Sequence, residues 1–345
     1  MYNNLIYFIC MKLNLVIKVT DLCNFDCTYC TQQKSGGIVS VEMIKVIYEK
    51  IAVEYQKCNI IWHGGEPLLA GIDFFRTVVQ MQEKFATVKF KNHIQTNLVL
   101  FNDEFAKFFS ENNVTVSGSF DGCWNDSTRG HTNEILAAVK TLQKYQGKVG
   151  VVCVVAENNL QQLKETYDDC KRLKVNLKLS EEFGSKNNLP LWVFAYKDLY
   201  DYYKQDESTA IKIDPFDDIE QMLIKGRGKT CVHQGCLGEW LAVDSQGDIY
   251  PCNRMNVLLG NIVEYEKISS VFVSHAYNEL IKSVILRIKK CISCHVFDLC
   301  RGGCSHRALT ENGLSEINGS SCLLFKDLFT HIKNKQKIKE RDGVT

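Results

Sequence analysis

Six short apolar runs alternate with amphipathic stretches through the first half of the chain, and this alternation restricts the fold more than any other feature. The runs span 13–19, 59–62, 88–95, 114–119, 149–155 and 175–179, each four to eight residues long and mostly rich in Val or Ile, the composition of strands. Behind Ser40, a residue suited to cap a helix, Met43, Ile44, Ile47, Tyr48 and Ile51 recur at helical spacing. Comparable patterns cover 74–85, 103–112, 133–145 and 159–173. Strand–helix alternation on this scale predicts an α/β fold whose parallel sheet is joined by right-handed crossovers.

Directly after the first run comes Cys23-Asn24-Phe25-Asp26-Cys27-Thr28-Tyr29-Cys30. Three thiolates on one loop can hold three corners of a [4Fe–4S] cube and leave the fourth iron open to a small molecule, whereas a fully ligated cluster only stores or passes electrons. A zinc site or three unrelated buried thiols would use the same residues. The chain has 345 residues and 16 cysteines. A disulfide framework suits short, core-poor secreted domains. Clustered cysteines in a chain long enough for two domains point instead to metal ligation in a reducing cytosol. Lys and Arg total 41 against 40 Asp and Glu, which leaves no electrostatic case for nucleic acid. The first ten residues are apolar in places but lack a basic leading segment and a small-residue cleavage site. No apolar run reaches the roughly eighteen residues of a membrane span, so the expectation is a cytoplasmic protein.

The cysteine spacing, with aromatic Tyr29 before the third cysteine, resembles the signature of the radical S-adenosylmethionine (SAM) enzymes. The resemblance implies a partial (β/α)6 barrel of TIM type, with the chemistry at the carboxyl ends of the strands. It implies that the open iron chelates SAM through its amino and carboxylate groups. An electron from the cluster then cleaves SAM to methionine and a 5′-deoxyadenosyl radical, which takes a substrate hydrogen. His63-Gly64-Gly65-Glu66-Pro67 closes the second run. Two glycines let a backbone pass close to a ligand, and the stretch resembles the GGEP motif whose backbone and Glu hold the SAM amino group. His63 reads as a packing neighbour. Gln95-Thr96-Asn97 and Ser119-Phe120-Asp121-Gly122 end the third and fourth runs and are similar to the QTN and S-[LI]-D-G of peptide-modifying members. The SAM contacts implied are Tyr29, Gly64, Gly65, Glu66, Pro67, Asn97 and Ser119, the last at the SAM carboxylate. By itself Asp121-Gly122 is a turn. The family usually continues with a Pro and a His-Asp pair before an Arg. The loop here is shorter, and Arg129 is the available counterpart.

Beyond 179 the periodicity breaks down through an aromatic stretch, 191–203, and an irregular linker around Asp214-Pro215 and Gly226-Arg227-Gly228. Cys231, Cys236, Cys252, Cys291, Cys294, Cys300, Cys304 and Cys322 follow. Residues 240–243, the turn Asp244-Ser245-Gln246-Gly247 and residues 248–250 read as a β-hairpin leading into Cys252. Gly247 to Cys252 is G-x4-C, and Cys291 to Cys304 is C-x2-C-x5-C-x3-C. This order resembles the SPASM domain, a small cysteine-rich auxiliary-cluster module. The resemblance implies two further, fully ligated [4Fe–4S] clusters, three in all. The nearer takes Cys231, Cys236, Cys252 and Cys304, and the farther takes Cys291, Cys294, Cys300 and Cys322. Gly302-Gly303 would let backbone N–H groups approach sulfur and tune the potential. A pair of structural zinc sites is the other use of such ligands. Cys10, Cys58, Cys123, Cys153 and Cys170 remain; Cys153, within a strand, reads as a small buried hydrophobe. Cys123 lies just past an active-side strand end, and the reading gives it no role in gripping substrate. The expected organisation is a barrel over 1–215, the SPASM module over 216–325 and a closing helix and tail over 326–345, with 326–339 solvated.

Two auxiliary clusters suggest a net oxidation, because the substrate radical must lose a second electron after hydrogen abstraction. Three activities compete. One is a maturase that cross-links a ribosomally made precursor peptide, through a carbon–carbon bond of cyclophane type or a thioether. Another is a sulfatase maturase, which oxidises a protein Cys or Ser to formylglycine. The third modifies a precursor peptide in cofactor biosynthesis. Sulfatase maturases carry an Asp base directly after the cysteine of the G-x4-C motif. Here that position is Asn253, and an amide cannot accept the proton as a carboxylate does. That departure favours cross-linking, as does the run from His63 to Gly71, which resembles cyclophane-forming maturases. No general base is assigned. A non-catalytic iron–sulfur carrier would need neither an open cluster site nor GGEP. The expected partners are the precursor peptide and a reductant such as flavodoxin or ferredoxin, with no nucleic acid and no membrane. Only about a dozen residues precede the first run, too few for a leader-binding domain. The leader is therefore expected to dock on the barrel, on the SPASM module or on another protein.

Overall fold

The structure is a computed structural model that describes residues 12–341 except 33, 35, 185, 227, 229, 230, 234, 235 and 318, with the backbone alone for Cys231 and 337–341. Cys10, Arg227 and the last four residues of the tail lie outside the described residues. All six expected strands form: β1 (Lys12–Thr20), β2 (Lys57–Gly64), β3 (Lys89–Gln95), β4 (Thr115–Ser119), β5 (Val149–Val155) and β6 (Val175–Glu181). Each pairs parallel with the next in chain order. Helices Val41–Glu54, Gly71–Met81, Asp103–Glu111, Thr132–Gln146 and Leu163–Leu173 fill the crossovers.

The two faces of the sheet follow from residue parity. Leu13, Leu15, Ile17 and Val19 of β1 bury with Ile44, Ile47, Tyr48 and Ile51 of the first helix. Trp62 of β2 meets Phe74 and Phe75 edge-on. Each fully buried side chain of this size contributes about 1.5–3 kcal/mol, so this parity is held against the helices. Ser40 starts the first helix by accepting from the Met43 N–H at 3.0 Å. The opposite parity carries polar side chains as well as Val16, Ile61 and Val152 and faces the lumen. There Asn59 donates to Asn14 at 2.9 Å, His93 Nε2 meets Ser117 Oγ at 2.8 Å and Gln95 Nε2 donates to Ser119 Oγ at 3.2 Å.

Three expectations are corrected. The aromatic stretch does not interrupt the helical order. It is the helix Leu189–Gln205, whose Trp192, Tyr196, Leu199, Tyr200 and Tyr203 bury one face. Its aromatics pack on Phe216, so bulk rather than aliphatic periodicity carries the pattern. The linker beyond it contains a seventh parallel strand, β7 (Ile213–Asp214), and the helix Phe216–Lys225. The closing helix, Gly319–Arg341, is not solvated all round, although Lys333, Asn334 and Lys335 are exposed. Leu324, Phe325, Leu328, Phe329 and Ile332 are buried, and the helix packs along Leu189–Gln205, with His331 Nε2 at 2.9 Å from Asp201. The hairpin of β8 (Trp240–Val243) and β9 (Asp248–Tyr250) forms as expected, with β10 (Gly260–Asn261) antiparallel beside it. Its placement is new, for β8 pairs parallel with β1 from Asn14 to Ile17. One sheet of order β10-β9-β8-β1-β2-β3-β4-β5-β6-β7 therefore runs through both cysteine-bearing regions. Among the described residues no helix is long and apolar enough to cross a membrane.

Candidate functional site

The cysteine loop leaves the carboxyl end of β1. Cys23 and Cys27 are half-buried and Cys30 is exposed. The Cys30 N–H donates to the Cys27 carbonyl at 3.0 Å and the Phe25 N–H to Cys23 Sγ at 3.4 Å. Phe25 is buried and stacks on His131 with ring centroids 4.8 Å apart, which anchors the hydrophobic middle of the loop. Burial raises the Cys23 and Cys27 thiols, with neighbouring Cys30 adding to both. Ligation to iron removes that penalty, since a bound thiolate is held ionised by the metal.

Gly64 and Gly65 sit where only glycine fits, but their close neighbour is the chain itself. A Cβ on Gly64 would lie 2.2 Å from the Thr20 carbonyl oxygen, and one on Gly65 2.2 Å from that of Leu22. The Gly65 N–H donates to Thr20 O at 2.7 Å and the Glu66 N–H to Leu22 O at 2.9 Å. The GGEP strand end thus clamps the root of the cysteine loop. Glu66 is fully buried. Its Oε1 accepts from the Leu68 N–H at 2.9 Å and the Thr96 hydroxyl at 2.7 Å, and its Oε2 from the Asn97 N–H at 2.7 Å. Burial pushes its carboxyl up to about 7, opposed by these donors. Pro67 begins the short turn Pro67–Ala70. Asn97 donates to Asn24 Oδ1 at 2.7 Å and lies 3.9 Å from Cys23 Sγ. Glu66 and Asn97 therefore brace the loop from β2 and β3 together.

Asp121, read from the sequence as a turn residue, is the buried hub on the other side. Its Oδ2 accepts from the Tyr29 hydroxyl at 2.6 Å, from Thr128 Oγ1 at 2.8 Å and from Arg129 Nε at 2.8 Å, and its Oδ1 from the Val154 N–H at 2.9 Å. The Arg129 guanidinium also lies over the Tyr29 ring at 5.2 Å. Arg129 and Tyr29 are thus bound to Asp121. The sequence signal for this hub is an Asp ending a strand eight residues before the only nearby Arg. His63 is a neighbour as expected, its Nδ1 accepting from the Gly64 N–H at 2.8 Å. Burial, with Arg254, Lys18 and His93 around it, pushes its imidazole down to about 4.

In the C-terminal region Cys291, Cys294, Cys300, Cys304 and Cys322 line one cavity of about 260 Å³. Burial, with Cys322, Cys291 and Cys294 nearby, pushes the Cys300 thiol up to about 12, against an N–H from Gly302. Gly302 and Gly303 adopt φ of +87° and +67°, the left-handed conformations that a tight turn between ligands requires. Among the described residues no three His, Cys, Asp or Glu side chains crowd onto a single-ion site. The five thiols instead border one common space. Cys236 and Cys252 are half-buried, and the side chain of Cys231 is outside the described residues. Cys58, Cys153 and Cys170 are buried in the core, and Cys123 is exposed.

The Radical SAM superfamily profile matches residues 17–170. A cysteine-type anaerobic sulfatase-maturating enzyme of Clostridium perfringens (strain 13 / Type A) is 30% identical over 362 residues, covering 92% of this chain and 96% of the relative. A serine-type anaerobic sulfatase-maturating enzyme of Klebsiella aerogenes is 23% identical over 342 residues, covering 90% of this chain and 84% of the relative. Native anSMEcpe with bound AdoMet and Cp18Cys peptide superposes with a TM-score of 0.86 at 26% identity, over 97% of this chain and 100% of that one. Streptococcus suis SuiB shares the fold, with a TM-score of 0.65 at 20% identity over 90% of this chain and 77% of its own. With the cysteine loop, the braced GGEP strand end and these full-length matches together, the chain belongs to the radical SAM superfamily, among the relatives of the anaerobic sulfatase-maturating enzymes.

Proposed function

We propose that this radical SAM enzyme is a peptide maturase that installs an oxidative side-chain cross-link, a carbon–carbon bond of cyclophane type or a thioether, in a ribosomally made precursor. The observation that carries the reading is Asn253, an amide at the position where formylglycine formation calls for a carboxylate base. The next residue is cationic: Arg254 stacks on Phe183 at 4.7 Å, so it supplies no base either. Cys23, Cys27 and Cys30 would hold the SAM-binding [4Fe–4S] cluster. Tyr29, Gly64, Gly65, Glu66, Pro67, Asn97 and Ser119 form or brace the cofactor pocket. When bound, SAM and this cluster supply the 5′-deoxyadenosyl radical that removes one hydrogen atom from a substrate side chain.

The residues of the chain then have three tasks. The lumen side chains orient the substrate beneath the loop. The half-buried setting of the loop limits water near the radical. The substrate carbon radical forms its new bond, then gives up one electron and one proton, so the product lacks two hydrogens. The four-thiol sets at Cys291, Cys294, Cys300 and Cys322 and at Cys231, Cys236, Cys252 and Cys304 would hold two auxiliary clusters to take that electron. A flavodoxin or ferredoxin would supply the electron that opens each turnover.

Full-length similarity to cysteine-type sulfatase-maturating enzymes supports a second reading, formylglycine formation on a protein Cys or Ser. One experiment separates the two. Anaerobically reconstituted enzyme is incubated with SAM, dithionite and small peptides encoded beside its gene, and products are read by tandem mass spectrometry. Loss of two hydrogens with suppressed fragmentation between two residues is the expected result. A hydrazine-reactive aldehyde with complete fragmentation overturns it in favour of formylglycine.

A further inference from the structure

The helix His275–Cys291 buries one stripe, Tyr277, Leu280, Val284 and Arg287, and ends in Cys291. The spacing is that of an apolar helix face, yet its last member is a cation only 1% exposed. Arg287 lies one turn before Cys291 on the same side of the helix. Its guanidinium crosses to the next segment. Nη2 donates to Ser305 Oγ at 2.8 Å, beside Cys304, and Nη1 donates to the Leu314 carbonyl at 2.9 Å. The adjacent Ile288 abuts the turn between Cys300 and Cys304, 3.3 Å from where a Cβ on Gly302 would lie. Arg287 thus spans from the helix that carries a thiol of the farther set, Cys291, to the residue that follows a thiol of the nearer set, Cys304.

A buried guanidinium calls for a counter-charge. Arg129 has Asp121 and Arg307 has Glu181. Lys18 has Asp21 as its acid, and Lys186 has Glu181. The two acceptors of Arg287 are a hydroxyl and a carbonyl, both neutral, and among the described residues its Nε has no hydrogen-bond partner. Burial opposes its charge, and the groups that favour it are Cys304, Cys291, Cys300 and Cys236, in that order. Cys304 and Cys236 belong to the nearer four-thiol set, Cys291 and Cys300 to the farther. Thiols carry the negative charge this pairing requires when a metal holds them as thiolates, whereas a guanidinium stays protonated throughout.

We propose that Arg287 is a positioning residue for the electron that leaves the substrate: its fixed charge, shared between the two four-thiol sets, raises the reduction potential of both clusters they would hold. The inference rests on the auxiliary-cluster reading above and deepens it. A fully ligated cluster gains one negative charge when it accepts an electron, so a fixed cation beside its thiolates favours the reduced form. The substrate radical is oxidised by one electron and the cluster is reduced by one.

The test is an anaerobic redox titration of the full-length protein, read by electron paramagnetic resonance, in a Cys23→Ala/Cys27→Ala/Cys30→Ala parent that leaves only the auxiliary signals. This parent should hold about eight iron atoms. In Arg287→Gln, neutral but still a donor, the reduced-to-oxidised ratio of both clusters at a given poise should fall roughly tenfold, a drop of about 59 mV in each one-electron midpoint. Arg287→Lys keeps the charge but gives up the fork to Ser305 and Leu314, and should hold both midpoints near the parent's. Equal falls in the two variants overturn the inference, because the hydrogen bonds and not the charge then set the potential. Unchanged midpoints in iron-replete Arg287→Gln overturn it as well, and a fall in one cluster alone overturns the shared placement. Arg287→Met, which suits the apolar stripe, replaces Arg287→Gln if the latter loses iron. If both neutral variants lose iron, retention in Arg287→Lys supports the inference and loss there overturns it. A parent without a second cluster signal overturns the auxiliary-cluster reading and the inference together.

Discussion

The loop of Cys23, Cys27 and Cys30 hangs from a sheet, whereas Cys291 ends the helix His275–Cys291, Cys300 ends the short helix Phe297–Cys300, Cys294 lies in the turn between them and Cys322 is on the C-terminal helix itself. The first region is held main chain to main chain, with Gly64 and Gly65 pressed on Thr20 and Leu22 and every oxygen of Glu66 bonded. The second is held by local turns such as the Cys294 N–H to the Cys291 carbonyl at 2.9 Å and the Gly303 N–H to the Cys300 carbonyl at 2.9 Å, and its buried side chains are less completely paired. Among the described residues both ring nitrogens of His233, Nε and Nη1 of Arg307 and Nε of Arg287 are buried without a hydrogen-bond partner, and each such group costs about 1–3 kcal/mol. His233 and Arg307 line the same cavity as the thiols.

The largest expected effect breaks the two regions apart. Cys27→Ala should abolish 5′-deoxyadenosine formation, by more than about a thousandfold, because three thiols are the minimum for the open cluster. Cys300→Ala should keep SAM cleavage and lose the cross-linked product. Chromatography of 5′-deoxyadenosine beside mass spectrometry of the peptide reads both. Equal loss in the two variants would mean that the regions do not divide the work.

Next comes the buried pair that joins the barrel to the cysteine-rich region. Glu181 ends β6, Arg307 follows Cys304, and Tyr196 donates to Glu181 at 2.7 Å. Arg307→Met leaves a buried carboxylate unpaired and should cost about 3–5 kcal/mol in urea unfolding of the apo chain. The same pair sets a pH dependence. Burial opposes ionisation of Glu181, yet Arg307 and Tyr196 hold its carboxyl below the usual range. The stability it contributes is therefore present above the unfolded carboxylate value of about 4.3 and is lost as pH falls through the depressed native value. Thermal unfolding of apo protein between pH 7 and pH 3 should show this loss in wild type and less of it in Glu181→Gln/Arg307→Met.

Gly65→Ala sharpens the comparison from the other side. Its methyl group meets the Leu22 carbonyl at 2.2 Å, a backbone atom that cannot turn aside, so the expected cost is about 1–3 kcal/mol. Iron content should fall at the loop while the C-terminal region keeps its share, as read by Mössbauer quantitation. The smallest effect is expected from Cys153→Ala, which removes a core thiol in neither region. It should leave iron content unchanged and cost about 1 kcal/mol in the same unfolding measurement.

The legible parts of the molecule were those in which neighbours in sequence are neighbours in function. The alternation of β1 to β6 with helices, the Ser40 cap, the hairpin before Cys252 and the cysteine spacings all depend on local periodicity or on ligand geometry within one loop. Helix Leu189–Gln205 escaped because aromatic bulk blurred its apolar stripe. The partial burial of the closing helix escaped because its Lys-rich face masked Leu328 and Phe329.

By itself, then, the sequence determined the parallel α/β core and the placement of three thiols at its active end, since both follow from periodicity and spacing that no distant contact can alter. The tertiary structure alone decided that Asp121 is a hub for Tyr29, Thr128 and Arg129, and that β8 joins β1. Those relations link residues from seven to more than two hundred positions apart, and electrostatic pairing depends on distance through space, which sequence separation does not report.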